Sequence, residues 1–359
     1  MINVTKPFFP PVEEFTAYVQ EIWKREWITN NGPLVNDLEI KLKEYLKVDH
    51  LLFLSNGTIA LQIAIKALDL KGEIITTPFS YVATTSSIVW ENCTPVFVDI
   101  DPGTLNIEPN AIEEAITPKT SGILATHVFG NPCDIDSIQK VADRHGLKVI
   151  YDAAHSFGTT YKGSSVFAYG DISTASFHAT KVFHTAEGGA VITRSPELLN
   201  RMALMRNFGH AGFAVFDGVG INGKNSELHA AMGLVNLKYV DALLAKRKEL
   251  SHYYDELLLS FPHQRLKITS DAGFNHSYYP VIFETEALLL KSVEVLNENR
   301  INPRRYFYPS LNTLSYVKNK KMPVSESIAC RVLCLPMYFE LEKSDIDFIV
   351  RLLLRVQNN

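Results

Sequence analysis

The sequence predicts an α/β protein: a large unit on a mostly parallel, seven-stranded sheet, followed by a smaller C-terminal α+β unit. Three observations carry this reading. Seven apolar, strand-like runs, at 51–54, 74–77, 96–99, 122–128, 149–152, 172–177 and 190–193, alternate with segments of helical period. Most are continuously apolar, as strands covered on both faces are. A long helical stretch over 227–259 then leads to a second, shorter set of strands and helices.

The elements follow in order. Residues 12–27 place Phe15, Val19, Ile22 and Trp23 on one helical face. Asn30-Asn31-Gly32-Pro33 interrupts that helix, and 34–46 resumes the helical period. Helical segments at 58–68, 111–116 and 135–145 fill gaps between strand-like runs. Ser226 is a plausible N-cap for the long helix. Beyond it come a strand at 278–283, a helix at 286–297, a strand at 334–336 and a last helix from Glu342. The boundary is expected near residue 245, giving units 1–245, with its N-terminal helical segment, and 246–359. No linker rich in Gly, Ser or Pro marks it, so the long helix is expected to join the units directly.

Composition narrows the function classes. The chain has 359 residues, 46 % apolar and 21 % charged, an ordinary globular balance. With 35 basic and 39 acidic residues the net charge is −4, and no basic stripe exists to follow a phosphate backbone. No nucleic-acid partner is expected. The first 15 residues lack the apolar core of a signal peptide, and no run of about 18 apolar residues occurs. A cytoplasmic protein with no membrane partner is the expectation. Four cysteines are too few and too scattered for a disulfide framework. Cys330 and Cys334 lie four apart on an apparent helix with no second ligand pair nearby, so they read as reduced core thiols, and no metal site is predicted.

Four stretches could carry chemistry. Ser55-Asn56-Gly57-Thr58 follows a strand and opens a helix, where free N–H groups and the helix dipole hold phosphate. The same residues also suit a plain strand–helix turn. Asp152 ends a buried strand, where open α/β sheets place ligand groups, and His155 follows three residues on. A helix-capping aspartate and a core histidine are the bland alternatives. Lys181 comes after the buried run Ile-Ser-Thr-Ala-Ser-Phe; a lysine desolvated there has a lowered pKa and a free amine for covalent chemistry, whereas a loop lysine at the surface does not. Gly218-Val219-Gly220-Ile221-Asn222-Gly223 matches G-x-G-x-x-G. It lacks the following strand that ends in an acid, as a dinucleotide site requires, and Asn225 stands where a P-loop needs Ser or Thr.

Taken in order, these segments resemble the DegT-like nucleotide-sugar aminotransferases, pyridoxal-phosphate (PLP) enzymes of the aspartate-aminotransferase fold. The resemblance runs from Trp27-Ile28-Thr29-Asn30-Asn31-Gly32-Pro33 through Asn56-Gly57-Thr58, 78–84 (Pro-Phe-Ser-Tyr-Val-Ala-Thr), His127-Val128-Phe129-Gly130, 152–155 and 176–181. It then takes in Gly220-Ile221-Asn222-Gly223-Lys224 and ends at Tyr306-Phe307-Tyr308-Pro309. The 29-residue separation of Asp152 and Lys181 also fits the family. The resemblance implies the PLP-dependent transferase fold type I. It implies that Lys181 holds the cofactor covalently and moves the substrate proton, and that Asp152 pairs with the pyridine nitrogen. By the same resemblance His155 lies near the cofactor hydroxyl and Tyr81 stacks on the ring. Gly57, Thr58 and Ser176 hold the phosphate, and Asn222 reaches it from the other subunit of a homodimer with shared active sites.

The retained lysine sets the chain apart from the family's dehydratases, which carry histidine there. The implied reaction takes the amine of L-glutamate, leaving pyridoxamine 5'-phosphate in the half-reaction, and passes it to a keto-sugar nucleotide. Thr29, Lys224 and Tyr308 are the implied nucleotide-sugar contacts. The run Phe-His-Ala-Thr-Lys-Val-Phe-His-Thr with Glu-Gly-Gly is closer to carbon-4 enzymes, which points to dTDP-4-keto-6-deoxyglucose as acceptor and dTDP-4-amino-4,6-dideoxyglucose as product. Ala186, Asn225 and Ser226 depart from the family pattern near the sugar pocket. Carbon-3 amination of a dTDP-3-keto-6-deoxyhexose is the alternative within the class. A non-catalytic nucleotide-sugar-binding protein and a nicotinamide-dependent oxidoreductase are the alternatives outside it.

Overall fold

The computed structural model describes residues 1–357. Its centre is a sheet of strands β1 (His50–Leu54), β2 (Glu73–Thr76), β3 (Thr94–Phe97), β4 (Thr120–Thr126), β5 (Lys148–Asp152), β6 (Ile172–Ser176) and β7 (Gly189–Thr193). Their spatial order is β1-β7-β6-β5-β4-β2-β3. Only β7 runs antiparallel to its neighbours. The two-residue period of a strand sorts successive side chains onto opposite faces. Ile123 and Ala125 of β4, and Val149 and Tyr151 of β5, enter one core, while Leu124 and Ile150 enter the other. Both cores are apolar, which is why these strands read as unbroken hydrophobic runs.

Helices α1 (Val12–Arg25), α2 (Pro33–Leu46), α5 (Ile135–His145) and α7 (Glu227–Leu237) cover the first face; α3 (Gly57–Ala67), α4 (Val82–Trp90) and α6 (Pro196–Arg206) cover the second. Helix α2 starts at Pro33, and the buried carboxylate of Glu227 accepts from the N–H groups of Leu34 (3.0 Å) and Val35 (2.9 Å). The N-terminal helical segment is thereby fixed to the first turn of α7.

The helical stretch over 227–259 is two helices, not one. Lys238 and Tyr239 separate α7 from α8 (Val240–Leu257). Helix α8 crosses residue 245 and carries Leu250 and Tyr254 into a further core drawn from 250–353. That core packs on a three-stranded antiparallel sheet of His263–Gln264, Tyr279–Phe283 and Val332–Leu335, with α9 (Glu286–Glu298) and α11 (Lys343–Gln357), while α10 (Pro323–Arg331) places Ile328 and Ala329 in a separate cluster with Phe79, Phe129 and Phe307. Ile2–Asn3 pairs with Ile301–Asn302, so the N-terminal edge joins this unit.

Two local expectations are corrected. Residues 111–116 form no α-helix: two single 3-10 turns, Pro109–Ala111 and Glu113–Ala115, end where Ile116 becomes extended. Cys330 and Cys334 do not share a helix, because Val332 turns extended and places Cys334 in a strand. Among the described residues no helix is long and apolar enough to cross a membrane.

Candidate active site

The carboxyl ends of β5 and β6 and the start of α3 enclose a cavity of about 250 Å³, with a further wall from Tyr278, Arg304, Tyr306 and Phe307. Gly57, Thr58, Tyr81, Asp152, His155, Ser176 and Lys181 all line it. This is the crevice an open α/β sheet offers a ligand.

One end is built to take an anion. Asn56 is the N-cap of α3, and its side chain accepts from Ile59 N (2.9 Å). The N–H groups of Gly57 and Thr58 precede any intrahelical partner and border the cavity. A Cβ on Gly57 would come within 2.9 Å of Ser176 Cβ, so glycine is what lets the helix start approach the Ser176 hydroxyl.

Asp152 lies deeper, with 6 % of its surface exposed. Its Oδ2 accepts from Thr84 Oγ1 (2.7 Å) and its Oδ1 from Ala154 N (3.2 Å). Behind Thr84 the hydroxyls of Ser80 and Thr126 continue the chain, at 2.7 and 3.0 Å. Burial pushes the Asp152 carboxyl above the usual carboxylate range, while Thr84, Ala154 N–H and the Lys181 charge pull it back. Burial lowers the Lys181 amine to about 8, against the opposing pull of Asp152. Lys181 Nζ lies 3.4 Å from the Tyr278 hydroxyl.

The His155 ring stacks on Phe307 (centroids 5.5 Å apart) and Phe129 (6.3 Å) and meets Tyr278 at 4.6 Å. Burial and the Lys181 charge hold it neutral, well below the ordinary histidine range. Its buried Nδ1 has no hydrogen-bond partner among the described residues. Tyr81 is half-exposed at the start of α4, at the cavity edge.

Four of the expected site residues stand apart from the cavity within one chain. Asn222 is exposed and bridges to Asn207. Lys224 Nζ donates to Asn207 Oδ1 (2.8 Å) and lies 4.8 Å from the centre of the Phe208 ring. Thr29 is exposed, its carbonyl accepting from Trp27 Nε1. The exposed Tyr308 ring stacks under the Arg305 guanidinium at 3.7 Å. The glycine-rich stretch over 218–223 follows an exposed two-stranded hairpin, His210–Gly212 with Val215–Phe216, not a strand of the central sheet, so the dinucleotide reading has no scaffold. Conversely, sequence reasoning gave no role to Thr84, Tyr278 or Arg304, which border or support the cavity from elements far along the chain. Nothing local to them signals a ligand.

Anion donors, a buried carboxylate and a depressed-pKa amine lining one cavity match the three needs of pyridoxal phosphate: a phosphate cradle, a partner for the ring nitrogen and an amine for the aldehyde. The comparisons with known proteins agree. The chain is 43 % identical over 361 residues to a dTDP-4-amino-4,6-dideoxy-D-glucose transaminase of Shigella dysenteriae, covering 97 % of each chain. It is 40 % identical to a protein of that name from Escherichia coli, covering 98 % of each. Its fold superposes on DesI, solved in the presence of its TDP-sugar product, with a TM-score of 0.94 at 32 % identity, covering 99 % of this chain and 93 % of that one. The profile of the DegT/DnrJ/EryC1/StrS aminotransferase family matches residues 11–354, and the chain belongs to that family of PLP-dependent enzymes.

Proposed function

We propose that the protein moves the amino group of L-glutamate to carbon 4 of dTDP-4-keto-6-deoxyglucose, giving dTDP-4-amino-4,6-dideoxyglucose. The observation that carries this reading is that Lys181 and Asp152 line one cavity, each within reach of the other's charge, in a chain 43 % identical to a transaminase named for that product.

Pyridoxal phosphate, when bound, supplies an electron sink that acidifies the carbon carrying the transferred nitrogen. The chain's own residues do the rest. Lys181 would anchor the cofactor through its amine and, as a free amine, would be the acid–base group that moves the substrate proton. Burial lowers its pKa to about 8, which brings the amine closer to neutral pH, where one group can act as both base and acid. Asp152 holds the ring nitrogen protonated; Thr84 Oγ1 and Ala154 N–H fix both its oxygens, so it does not swing away. The N–H groups of Gly57 and Thr58 and the Ser176 hydroxyl would hold the phosphate. Tyr81 would stack on the ring, and His155 would lie near the cofactor hydroxyl.

Asn222 sits on an exposed loop, which suits a residue that serves the phosphate of a second copy in a homodimer. Thr29, Lys224 and Tyr308, exposed or half-buried outside the cavity, are assigned to the nucleotide sugar. The test is product analysis: the purified protein with PLP, L-glutamate and dTDP-4-keto-6-deoxyglucose, read by NMR. Nitrogen on carbon 4 supports the proposal, nitrogen on carbon 3 moves it to the other regiochemistry, and no nitrogen transfer overturns it.

A further inference from the structure

Arg304 borders the cavity that holds Lys181, and its position is set by backbone. Arg304 N donates to Cys334 O (3.2 Å) and Cys334 N donates to Arg304 O (2.9 Å), tying the residue to the edge of the small sheet. Its guanidinium lies 4.9 Å from the centre of the Tyr306 ring. Among the described residues it meets no carboxylate and no hydrogen-bond acceptor. The adjacent Arg305 is different: it donates to Glu286 (2.7 Å) and to Cys330 O (3.0 Å). One arginine of the tandem is used by the fold and the other is left facing the cavity. Beside Arg304 stand the rings of Tyr306 and Tyr278, 5.0 Å apart, and the Tyr278 hydroxyl is the group that reaches Lys181 Nζ.

The other charge requirements of the site are met elsewhere. The α3 N-terminus serves a phosphate and Asp152 serves a cation. A guanidinium with an aromatic floor, next to the reacting amine, suits a planar carboxylate, which it grips through two parallel N–H bonds. The amino donor carries a carboxylate on the same carbon as its amine. The acceptor's phosphates hang from carbon 1, across the sugar ring from the carbon that reacts. We propose that Arg304, with the Tyr278 hydroxyl as second donor, anchors a carboxylate of the amino donor. This rests on the aminotransferase reading and adds the subsite through which the donor is held.

The test uses the cofactor-loaded protein and the variants R304Q and R304K. Retention of the visible absorbance of the lysine-bound cofactor shows that each variant folds and loads; the exposed side chain gives no reason for it not to. Calorimetry with glutarate, which has both carboxylates and no amine, reads the subsite without turnover. Titration with L-glutamate, followed by loss of that absorbance, reads the donor half-reaction, and return of absorbance on adding the keto-sugar nucleotide reads the acceptor half-reaction. The expected result is glutarate binding in the wild type that R304Q loses. The half-saturating glutamate concentration rises roughly 30-fold in R304Q and less in R304K, with acceptor saturation unchanged, as loss of one charge-assisted pair implies. Equal glutarate binding in wild type and R304Q, or none in either, overturns the subsite. So does a rise confined to the keto-sugar nucleotide, which would give Arg304 to the acceptor's phosphates. A wild type that binds glutarate but keeps its absorbance with glutamate would instead overturn the aminotransferase reading while leaving the anion subsite standing.

Discussion

Thr84 is the residue whose removal tests the electrostatics of the site most directly. Its hydroxyl gives Asp152 the shorter of its two hydrogen bonds, 2.7 Å against 3.2 Å from Ala154 N. Thr84→Val keeps the volume and deletes the donor. A hydrogen bond to a charged group contributes about 1.5–3 kcal/mol, so the ionised form of Asp152 loses on the order of 2 kcal/mol, or roughly 30-fold in any step that needs it. Burial already raises the Asp152 pKa and the Thr84 bond lowers it, so the variant's carboxyl rises further. The acid limb of the pH–rate profile then moves to higher pH. The assay is stopped-flow loss of the lysine-bound cofactor absorbance at saturating L-glutamate, from acid to alkaline pH. Thr84→Ser restores the donor and is expected within a few-fold of wild type. A Thr84→Val protein with wild-type rate and an unmoved acid limb would refute the reasoning, and so would a Ser variant as slow as the Val variant.

Four further outcomes follow from the same geometry. Lys181→Met abolishes turnover, yet in cofactor-free form it is the more stable protein near pH 7. The Lys181 pKa falls from 10.5 to about 8, which costs the wild type about 3 kcal/mol below pH 8; the cost disappears as pH rises toward 10.5, so denaturation curves of the two should converge there. Asp152→Asn loses orders of magnitude in rate, with cofactor-free stability at neutral pH at or above wild type, since a buried carboxyl with a raised pKa disfavours the fold once pH exceeds its unfolded value; a lower melting temperature there would contradict this. Gly57→Ala forces its Cβ to 2.9 Å from Ser176 Cβ and opens the phosphate cradle, measured as faster loss of cofactor on dialysis. Glu227→Ala removes the acceptor for Leu34 N and Val35 N in a fully buried place and is expected to cost about 3 kcal/mol in urea denaturation, with Glu227→Gln milder.

The sheet was legible because strands buried on both faces announce themselves as apolar runs, and each of the seven runs overlaps a strand of the central sheet. Helix ends were less legible where tertiary contacts override period. The break at 238–239 carries no glycine or proline, and the stretch over 109–116 holds two tight turns where the pattern suggested a helix. Asp152 stands out in sequence as a charged residue ending a buried strand, and Lys181 as one that follows a buried strand within a few residues, arrangements that cost energy unless the group is used. Thr84, Tyr278 and Arg304 carry no such signal. A threonine early in a helix, a tyrosine entering a strand and an arginine in a tandem are ordinary until the fold brings them to the same cavity. Asn222, Thr29, Lys224 and Tyr308 could be named only by resemblance, since within one chain they do not converge on the cavity.

The two main ionisable groups of the site are shifted by one cause. Desolvation raises Asp152 and lowers Lys181, so burial in the cavity favours the neutral form of each, while their mutual attraction resists it. A ligand that is cationic beside Asp152 and anionic at the α3 N-terminus relieves both penalties at once. That is why the carboxylate, the amine and the phosphate cradle make sense as a set and not one by one. With those two charges matched, Arg304 is the cavity group left for the carboxylate of the amino donor, as proposed above. The central sheet fixes Asp152 and Ser176 at one wall of the cavity, and Tyr278, Arg304, Tyr306 and Phe307 form another, so the proposed donor subsite and the proposed cofactor site are built from different parts of the chain.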